Sequence, residues 1–246
     1  MKKFSLLLLV FPFWIWSQNT SDDEPPVLEV GFSVFPLDSG DWEGIYYAPN
    51  GDPGDGRVEL HFNPNERSVT HEYKGHPVLR FFRMAQDEEG TPVPQTVGTV
   101  NLNGLEANSK LILFFEPDSS GNRFNISPML DSDENFPNES IVFFNTMNVP
   151  FIGILNDRRL VLNPGKSGPV SVADFLDRDV PIALAIRDDE DIHLVANNNI
   201  RFFQDRRTLL ILRPPRRPGS LRIRTQRLTE FTGDRAEDPP EDPESP

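Results

Sequence analysis

Short apolar or alternating runs dominate the chain, and hydrophobic positions with helical spacing are scarce. Turn-forming stretches such as NGDPGDG, NPNER, DSSGN and RPPRRPG separate the runs. Short strands at this spacing predict an all-β sandwich or barrel. The only helix prediction is a turn or two in Ser171–Asp177. The predicted strands are Val58–Phe62, Val69–Tyr73, Val78–Phe82, Val97–Leu102, Leu111–Phe115, Ile141–Phe144, Pro150–Leu155, Leu160–Leu162, Ile182–Ile186, Ile192–Val195, Leu209–Leu212 and Leu221–Leu228.

Two internal similarities indicate a tandem duplication. The stretch SIVFFNTMNVPFIGILNDRRLVLNPGKSG aligns with an earlier stretch in a way that places Phe144 on Phe62, an offset of 82 (144 − 62). A second match at an offset of 98 (209 − 111) places Leu111 on Leu209. We therefore predict two tandem antiparallel β-sandwich domains of the immunoglobulin-like (Ig-like) type. The predicted domains span residues 27–136 and 137–231. The alternative is a single large sandwich with similar hairpins.

Four pairs of adjacent phenylalanines constrain how the strands are buried. Adjacent residues of a strand point to opposite faces, so each pair requires burial on both sides. We expect one ring in a domain core and the other under a loop, a neighbouring domain or a partner. An aromatic platform for carbohydrate is the alternative, for which Trp42, Tyr46, Tyr47 and Tyr73 have the polar ring edges. The pairs are Phe81-Phe82, Phe114-Phe115, Phe143-Phe144 and Phe202-Phe203.

The N-terminal residues have the pattern of an export signal. Lys2 and Lys3 precede an apolar run, Phe4–Trp16, and Ser17 is a small residue suited to cleavage. That run is short for a membrane span, which needs about 20 residues. We predict a signal peptide at 1–18, an exported protein that is periplasmic or secreted, and no transmembrane span in the mature chain. An uncleaved anchor is the alternative. Disorder is predicted for a linker at 19–26 and an acidic tail at 232–246.

Charge and cysteine content exclude several classes of function. The formal charge of −14 becomes −16 once the two lysines of the signal peptide are removed, so we expect no binding to nucleic acid. The absence of cysteine excludes disulfides, thiolate metal sites and cysteine nucleophiles. An arginine-rich stretch, Arg206–Arg227, predicts either a surface for anionic polymers or a solvated strand face neutralised by the acidic tail or body.

The strongest metal-site candidates are Asp131, Asp133 and Asn135. Their oxygen atoms recur at alternate positions as in a calcium-binding loop. Phe136 and Val142 occupy the positions where an EF-hand requires glycine and glutamate, so only a looser calcium site, here or at Asp52 and Asp55, fits the sequence. The alternative for this segment is an acidic linker between domains. His71 and His76, which could meet across a predicted hairpin, are a weaker metal-site candidate.

No catalytic or cofactor-binding residues are predicted. The triplet Gly165-Lys166-Ser167 is not a phosphate-binding loop, because Leu160 occupies the position of the first glycine. The chain contains neither a Gly-x-Ser-x-Gly nor a His-Glu-x-x-His motif. We therefore expect an exported, non-catalytic module of the cell envelope or secreted fraction that binds a protein or a surface polymer. The alternatives are a polysaccharide hydrolase with paired carboxylates and a calcium-stabilised adhesion module. The oligomeric state is left open.

Overall fold

A computed structural model describes residues 27–189 and 191–233. The predicted signal peptide and linker, and the tail from residue 234 onward, lie outside the described residues. Within them the chain is all-β, with one short 3₁₀ turn at Ala173–Phe175 where the sequence predicts a turn or two of helix. No helix in this part of the chain has the length and apolar character needed to cross a membrane. The strands are β1 (Leu28–Pro36), β2 (Tyr46–Tyr47), β3 (Val58–Glu59), β4 (His71–Gly75), β5 (Val78–Gln86), β6 (Pro92–Asn101), β7 (Ser109–Pro117), β8 (Phe124–Leu130), β9 (Ser140–Asn145), β10 (Phe151–Leu155), β11 (Arg158–Leu162), β12 (Gly165–Lys166), β13 (Val170–Ser171), β14 (Asp179–Asp188), β15 (Asp191–Arg201), β16 (Arg206–Arg213) and β17 (Arg224–Phe231).

The strands form four sheets that pack in two pairs. Sheet 1 has the order β4–β1–β7–β8 and sheet 2 the order β3–β2–β5–β6. Sheet 3 has the order β12–β9–β16–β17, with β13 also beside β9, and sheet 4 the order β11–β10–β14–β15. Residues of sheets 1 and 2 enclose a first core, and residues of sheets 3 and 4 enclose a second. The prediction of an all-β, sandwich-like fold is therefore confirmed.

The sheets are not purely antiparallel, and their strand order is not that of an immunoglobulin domain. β1 runs parallel to β7 in sheet 1, and β9 runs parallel to β16 in sheet 3. Immunoglobulin sheets follow the orders ABED and CFG, which differ from 4-1-7-8 and 3-2-5-6. The chain leaves β1 for sheet 2, returns to sheet 1 as β4 on one side of β1, and fills the other side only when it returns again as β7. The prediction is thus wrong in strand order and in the direction of two strand pairs.

The central strand β1 is missing from the strands that the sequence predicts. Its sequence, LEVGFSVFP, nevertheless alternates apolar residues with small or polar ones. Because the predicted strands omit β1, the first internal alignment pairs Phe144 with the wrong residue. Phe144 lies in the central strand β9, whereas Phe62 lies beyond the two-residue strand β3 at the edge of sheet 2. The position of β9 in sheet 3 matches that of β1 in sheet 1.

Three of the four phenylalanine pairs are buried on both faces by the chain itself; in the fourth, Phe203 is 44% exposed, so the expectation of two-sided burial is wrong there. The pairs of β7 and β9 are covered on their outer faces by each other. Phe115 belongs to the first core and Phe143 to the second, whereas Phe114 and Phe144 belong to a third core between sheets 1 and 3. The rings of Phe114 and Phe144 lie 4.7 Å apart between centroids. The prediction that a neighbouring unit covers the outer rings is therefore confirmed for these pairs.

The second internal match is displaced by one residue. Leu111 lies in the first core and Leu209 in the third, so the predicted alignment pairs residues on opposite faces of their strands. The first backbone hydrogen bond beyond each parallel ladder fixes the correct alignment. Its acceptor is the carbonyl oxygen of Phe115 in the first half and that of Leu212 in the second, which gives an offset of 97 (212 − 115). A shift of one residue reverses the face of every side chain in a strand. At an offset of 97, equivalent residues of β7 and β16 point to equivalent faces of their sheets.

Both sheet pairs also contain a β-bulge at the same place. Val97 has no cross-strand partner in the hairpin β5–β6, and Val195 has none in the hairpin β14–β15. Both side chains are buried, in the first and second cores respectively. Directly beside the bulges, Phe82 and Ala185 occupy equivalent positions on the opposing strands.

A closed ring of ion pairs lies at one end of the third core. Arg207 Nη2 lies 2.9 Å from Asp131 Oδ1 and 2.8 Å from Glu230 Oε2, and Arg67 Nε lies 2.6 Å from Glu230 Oε1. Arg67 also pairs with Asp131, which completes the ring. Arg207 is nearly buried and donates a 3.0 Å hydrogen bond to the carbonyl oxygen of Phe136. Its guanidinium carbon lies 4.4 Å from the centroid of the Phe136 ring.

A second group of ion pairs joins the same two sheets. Arg213 Nη2 lies 2.9 Å from Asp38 Oδ2 and 3.3 Å from Glu116 Oε1, and Arg224 also pairs with Asp38. Burial opposes ionisation of Asp38, but the hydrogen bond from Arg224 and the charge of Arg213 prevail and lower its pKa to about 2. Three of the arginines in Arg206–Arg227 are thus occupied in structural contacts rather than facing solvent.

We expect Phe114→Ala to lower the free energy of unfolding by about 3–5 kcal/mol, because the ring is fully buried in the third core. Phe203→Ala is the matched control: this ring is 44% exposed, so its removal should change stability by about 0.5 kcal/mol or less. Urea denaturation followed by tryptophan fluorescence measures both. Equal effects of the two substitutions would contradict the third core.

Asp38 should contribute to acid sensitivity. Its folded pKa of about 2 lies below the ordinary value of 3.8, so its stabilisation is complete above pH 3.8 and is lost as the pH falls toward 2. Because the side chain is about one-third exposed, we expect only about 1 kcal/mol from this group. Asp38→Asn should lower the free energy of unfolding at pH 7. Between pH 3.8 and pH 2, the free energy of unfolding of this variant should fall less steeply than that of the unsubstituted chain. A curve parallel to that of the unsubstituted chain would contradict this assignment.

Candidate functional site

The outer face of sheet 4, which points away from the second core, carries a continuous apolar surface. One cross-strand row, followed from β11 to β15, consists of Val161, Ile152, Ala185 and Leu194. The next row on one side of it contributes Ile154 and Ala183 to the apolar surface, and the next row on the other side contributes Ile192. The large side chains are well exposed: Val161 by 69%, Ile192 by 60%, Leu194 by 60% and Ile154 by 48%. Apolar patches of this kind on a soluble protein mark interaction sites.

Small residues make this surface concave. Ala183 and Ala185 form the floor on β14, Ile152 and Ile154 form the wall on β10, and the side chains of β15 form the other wall. Strands in a sheet lie about 4.8 Å apart, so the two walls are separated by roughly 10 Å. The resulting apolar groove has a volume of about 480 Å³. That width admits one extended chain or one row of large side chains.

Sheet 2 fills the equivalent groove with its own side chains. Phe82 occupies the position equivalent to Ala185 and is 2% exposed. Its ring stacks on Tyr46 at 6.2 Å, and the guanidinium of Arg57 lies 5.5 Å from the Tyr46 ring centroid. Tyr46 pairs with Phe82 just as Ile152 pairs with Ala185. An aromatic ring therefore fills the groove on sheet 2, whereas the equivalent groove on sheet 4 is open.

Charges of both signs surround the open groove: its lining contains two arginines, and the hairpin tip beside Arg187 carries Asp188, Asp189 and Asp191. Arg159 and Arg187 line it at opposite ends, and both are exposed. Neither takes part in a salt bridge among the described residues. The groove lining contains no carboxylate within the described part of the chain. The lining is therefore apolar apart from two arginines, and acidic residues lie directly beyond one of them.

The predicted calcium ligands lie in the segment that joins the two halves, where cations of the protein already contact two of them. Asp131 belongs to the ion-pair ring, and Asn135 Oδ1 accepts a 2.8 Å hydrogen bond from Lys166 Nζ. Asp131, Asp133 and Asn135 all line one cleft of about 670 Å³ together with Glu134, and Asp133 is exposed there. Among residues 27–189 and 191–233, no group of three or more histidine, cysteine or acidic side chains could hold a metal ion.

The histidine pair and the Gly-Lys-Ser triplet also serve the framework. His71 and His76 lie at opposite ends of β4, which pairs with β1 rather than with β5, so the predicted hairpin between them is wrong. Burial, and secondarily the charge of His61, lowers the pKa of His71. The triplet begins in the short strand β12, and Ser167 Oγ accepts a 3.0 Å hydrogen bond from the backbone N–H of Phe143.

The aromatic residues considered for carbohydrate binding have little free ring surface. The Trp42 ring stacks on Phe62 at 4.9 Å and on Phe124 at 5.1 Å, so both of its faces are covered. Tyr47 and Tyr73 are buried. A sugar platform needs an open ring face, and none of these three residues supplies one.

No residue of the apolar groove was among the sequence-predicted sites. The available signal was the alternation of large aliphatic residues at Ile152 and Ile154 and at Ile192 and Leu194. Sequence alone cannot show that these segments are neighbours, because their registers depend on β14 and on the bulge beside Val195. No protein-family model matches the chain, and a search of curated proteins finds no significant match.

Because one groove is filled and the other is open, we expect substitutions of their central residues to change the free energy of unfolding by very different amounts. Phe82→Ala should lower the free energy of unfolding by about 3 kcal/mol, because it empties a buried site. Ala185→Phe should change it by about 1 kcal/mol or less, because the new ring enters an open groove. Urea denaturation of the two variants checks this. A large loss of stability in Ala185→Phe would show that the groove has no room for a ring.

Proposed function

We propose that the chain is an exported, non-catalytic binding module and that the apolar groove of sheet 4 is where a partner protein docks. The observation that carries this proposal is the row of exposed aliphatic side chains over an alanine floor. Such a groove has no nucleophile or acid–base pair in its lining but provides apolar area and shape, which are the determinants of protein binding. A periplasmic or secreted location follows from the N-terminal pattern.

We further propose that the two sheet pairs are tandem sandwich domains descended from one duplicated domain. The shared strand order, the two parallel pairs and the two bulges support this origin. At an offset of 97, Glu116 is equivalent to Arg213, and the two side chains contact each other. In the neighbouring strands Asp131 is equivalent to Glu230, and both contact Arg207. Equivalent residues that meet in this way are typical of an interface with two-fold pseudosymmetry.

The duplication gives the open groove its significance. Copies of one domain begin with the same residues at equivalent positions, so the difference between Phe82 and Ala185 arose after the duplication. Sheet 2 uses that position for stability, whereas sheet 4 leaves it available. A groove kept open beside large aliphatic side chains supports a binding role better than a structural one.

The proposal can be tested by selecting ligands from a displayed library of random peptides. Selection on the unsubstituted chain, with counter-selection on Ala185→Phe, should enrich peptides whose affinity falls at least about tenfold in the filled variant. Fluorescence anisotropy measures the affinities. Phe203→Ala, on another surface, is the matched control and should leave the affinities unchanged.

If every enriched peptide binds Ala185→Phe and the unsubstituted chain equally well, the groove is not the binding site. Stability measurements on Ala185→Phe must accompany the selection, since only a folded variant makes the comparison meaningful.

A further inference from the structure

We propose that a cavity beside the second group of ion pairs binds the carboxylate of a small organic acid through Arg213, Arg216 and Arg224. The cavity has a volume of about 660 Å³ and lies where the end of β16 and the start of β17 meet the loop that follows β1. It shares no residue with the groove of sheet 4, so this inference goes beyond the proposed docking of a partner protein.

The observation that points to a ligand is the incomplete hydrogen bonding of Arg213. Its side chain is only 5% exposed, and it uses Nη2 for both Asp38 and Glu116. Nε is buried without a partner, and Nη1 makes no hydrogen bond with a described residue. Buried N–H groups are normally paired, because an unpaired one keeps the full cost of leaving water. Arg213 lines the cavity, so an acceptor bound there would supply bonds that the chain does not.

Arg207, on the same strand, shows the complete pairing of a comparable side chain. It is 8% exposed, close to the value for Arg213. Its Nε donates to Glu230 at 2.9 Å, its Nη1 donates to the carbonyl oxygen of Phe136 at 3.0 Å, and its Nη2 contacts two carboxylates. The two arginines are thus buried to nearly the same extent, and the one that lines the cavity is the one with incomplete pairing.

Two further arginines of the lining also retain free donors. Arg224 uses Nε for the carbonyl oxygen of Pro214 and Nη1 for Asp38, and its Nη2 has no partner among the described residues. Arg216 is exposed and takes part in no salt bridge within that part of the chain. Together with Arg213 they place three guanidinium groups around one cavity. The planar fork of a guanidinium matches the two oxygens of a carboxylate.

The charge balance of the cavity favours a ligand with a single negative charge. Asp38 is the only acidic residue of the lining among the described residues, and its pKa of about 2 keeps it ionised. Glu116 contacts Arg213 from outside the lining. These two carboxylates balance two of the three arginines, which leaves one positive charge for the ligand. A carboxylate neutralises that charge, whereas the second charge of a phosphate group would face Asp38 without compensation.

Charges beyond the lining do not reverse this balance. The loop 214–223, which supplies Arg216, contains two more arginines and no acidic residue. Asp41, on the loop after β1, already pairs with an arginine of β5. Glu43 and Glu66 are the other acidic residues of the loops that contribute to the cavity, and both are exposed, so solvent and salt screen their charges.

The rest of the cavity indicates what carries the carboxylate. A volume of about 660 Å³ is typical of a site for a small organic molecule and far exceeds that of a carboxylate alone. Trp42 and Pro64 supply apolar wall, and Ser39 and Thr225 supply hydroxyl groups. These features suit a carboxylate on a compact body that has polar groups of its own, as in a sugar acid or an acylated amino acid.

Isothermal titration of the purified chain with three small carboxylates tests the inference. Glucuronate and N-acetylalanine carry the group on different polar bodies, and acetate carries it alone. At least one of the two larger acids should bind, and its uncharged amide, glucuronamide or N-acetylalaninamide, should bind at least about tenfold more weakly. Acetate should also bind more weakly than that acid, because it leaves most of the cavity without contacts. The larger acid that binds better identifies the kind of body that the walls accept.

Substitutions of single arginines locate the bound acid. Arg216→Glu reverses an exposed charge of the lining, so it should weaken binding at least about tenfold while leaving the free energy of unfolding unchanged. Arg213→Lys keeps a positive charge beside Asp38 and Glu116 but removes the fork, and should weaken binding about tenfold. Arg80→Glu, at an exposed arginine of β5, is the matched charge control and should leave the affinity unchanged.

Four results would overturn the inference. If the amides bind as well as the acids, the site does not recognise a carboxylate. If acetate, sulfate or phosphate binds as tightly as the larger acids, the cavity holds an adventitious ion only. If Arg216→Glu binds the acids as the unsubstituted chain does, the acids bind elsewhere. If no acid binds at millimolar concentration, water completes the pairing of Arg213. None of these results bears on the groove of sheet 4, which the peptide selection against Ala185→Phe tests separately.

Discussion

The architecture depends on the burial of both faces of two central strand pairs, β1–β7 and β9–β16. One face of each pair closes a core with its partner sheet, and the other face packs into the third core. That third core contains eleven buried residues, with Phe114 against Phe144 near its centre. Separating the halves would expose this surface to water, and each large side chain contributes about 1.5–3 kcal/mol by its burial. The halves are therefore held together by the same apolar packing that stabilises each one.

Apolar packing is not directional, so the relative rotation of the two sheets needs another determinant. The ion-pair groups supply it, since each joins a residue of sheet 1 or its adjoining loops to arginines of sheet 3. Arg207 and Arg213 are nearly buried, and each contacts two carboxylates. The cost of desolvating such charges offsets much of their attraction, so their main effect is on geometry rather than on net stability. A slip of the two sheets past each other would leave buried charges without partners.

The same two-sided burial decides what the sequence could reveal. The adjacent phenylalanines of β5, β7 and β9 correctly indicated that both faces of a strand are covered, because the two-residue period is a local property. The pair Phe202-Phe203 did not, since Phe203 lies beyond the end of β15 and is 44% exposed. The run LLIL, which begins at Leu209, is apolar on both faces and so gives no sign of which residue faces which core. That ambiguity produced the one-residue error in the internal alignment. The apolar groove lay further out of reach, because it assembles from strands separated by up to about 40 residues, whose register is set by a bulge.

Packing sheets 1 and 3 against each other leaves sheets 2 and 4 as the outward faces of the two pairs. Phe82 closes the groove on sheet 2, so sheet 4 is the remaining face with an open apolar groove among the described residues. An exposed groove of this kind promotes aggregation unless something occupies or guards it. A single substitution of alanine by a larger apolar residue would close it, as the phenylalanine of sheet 2 does in the same chain. The net charge of −14 instead keeps copies of the chain apart while the groove stays open.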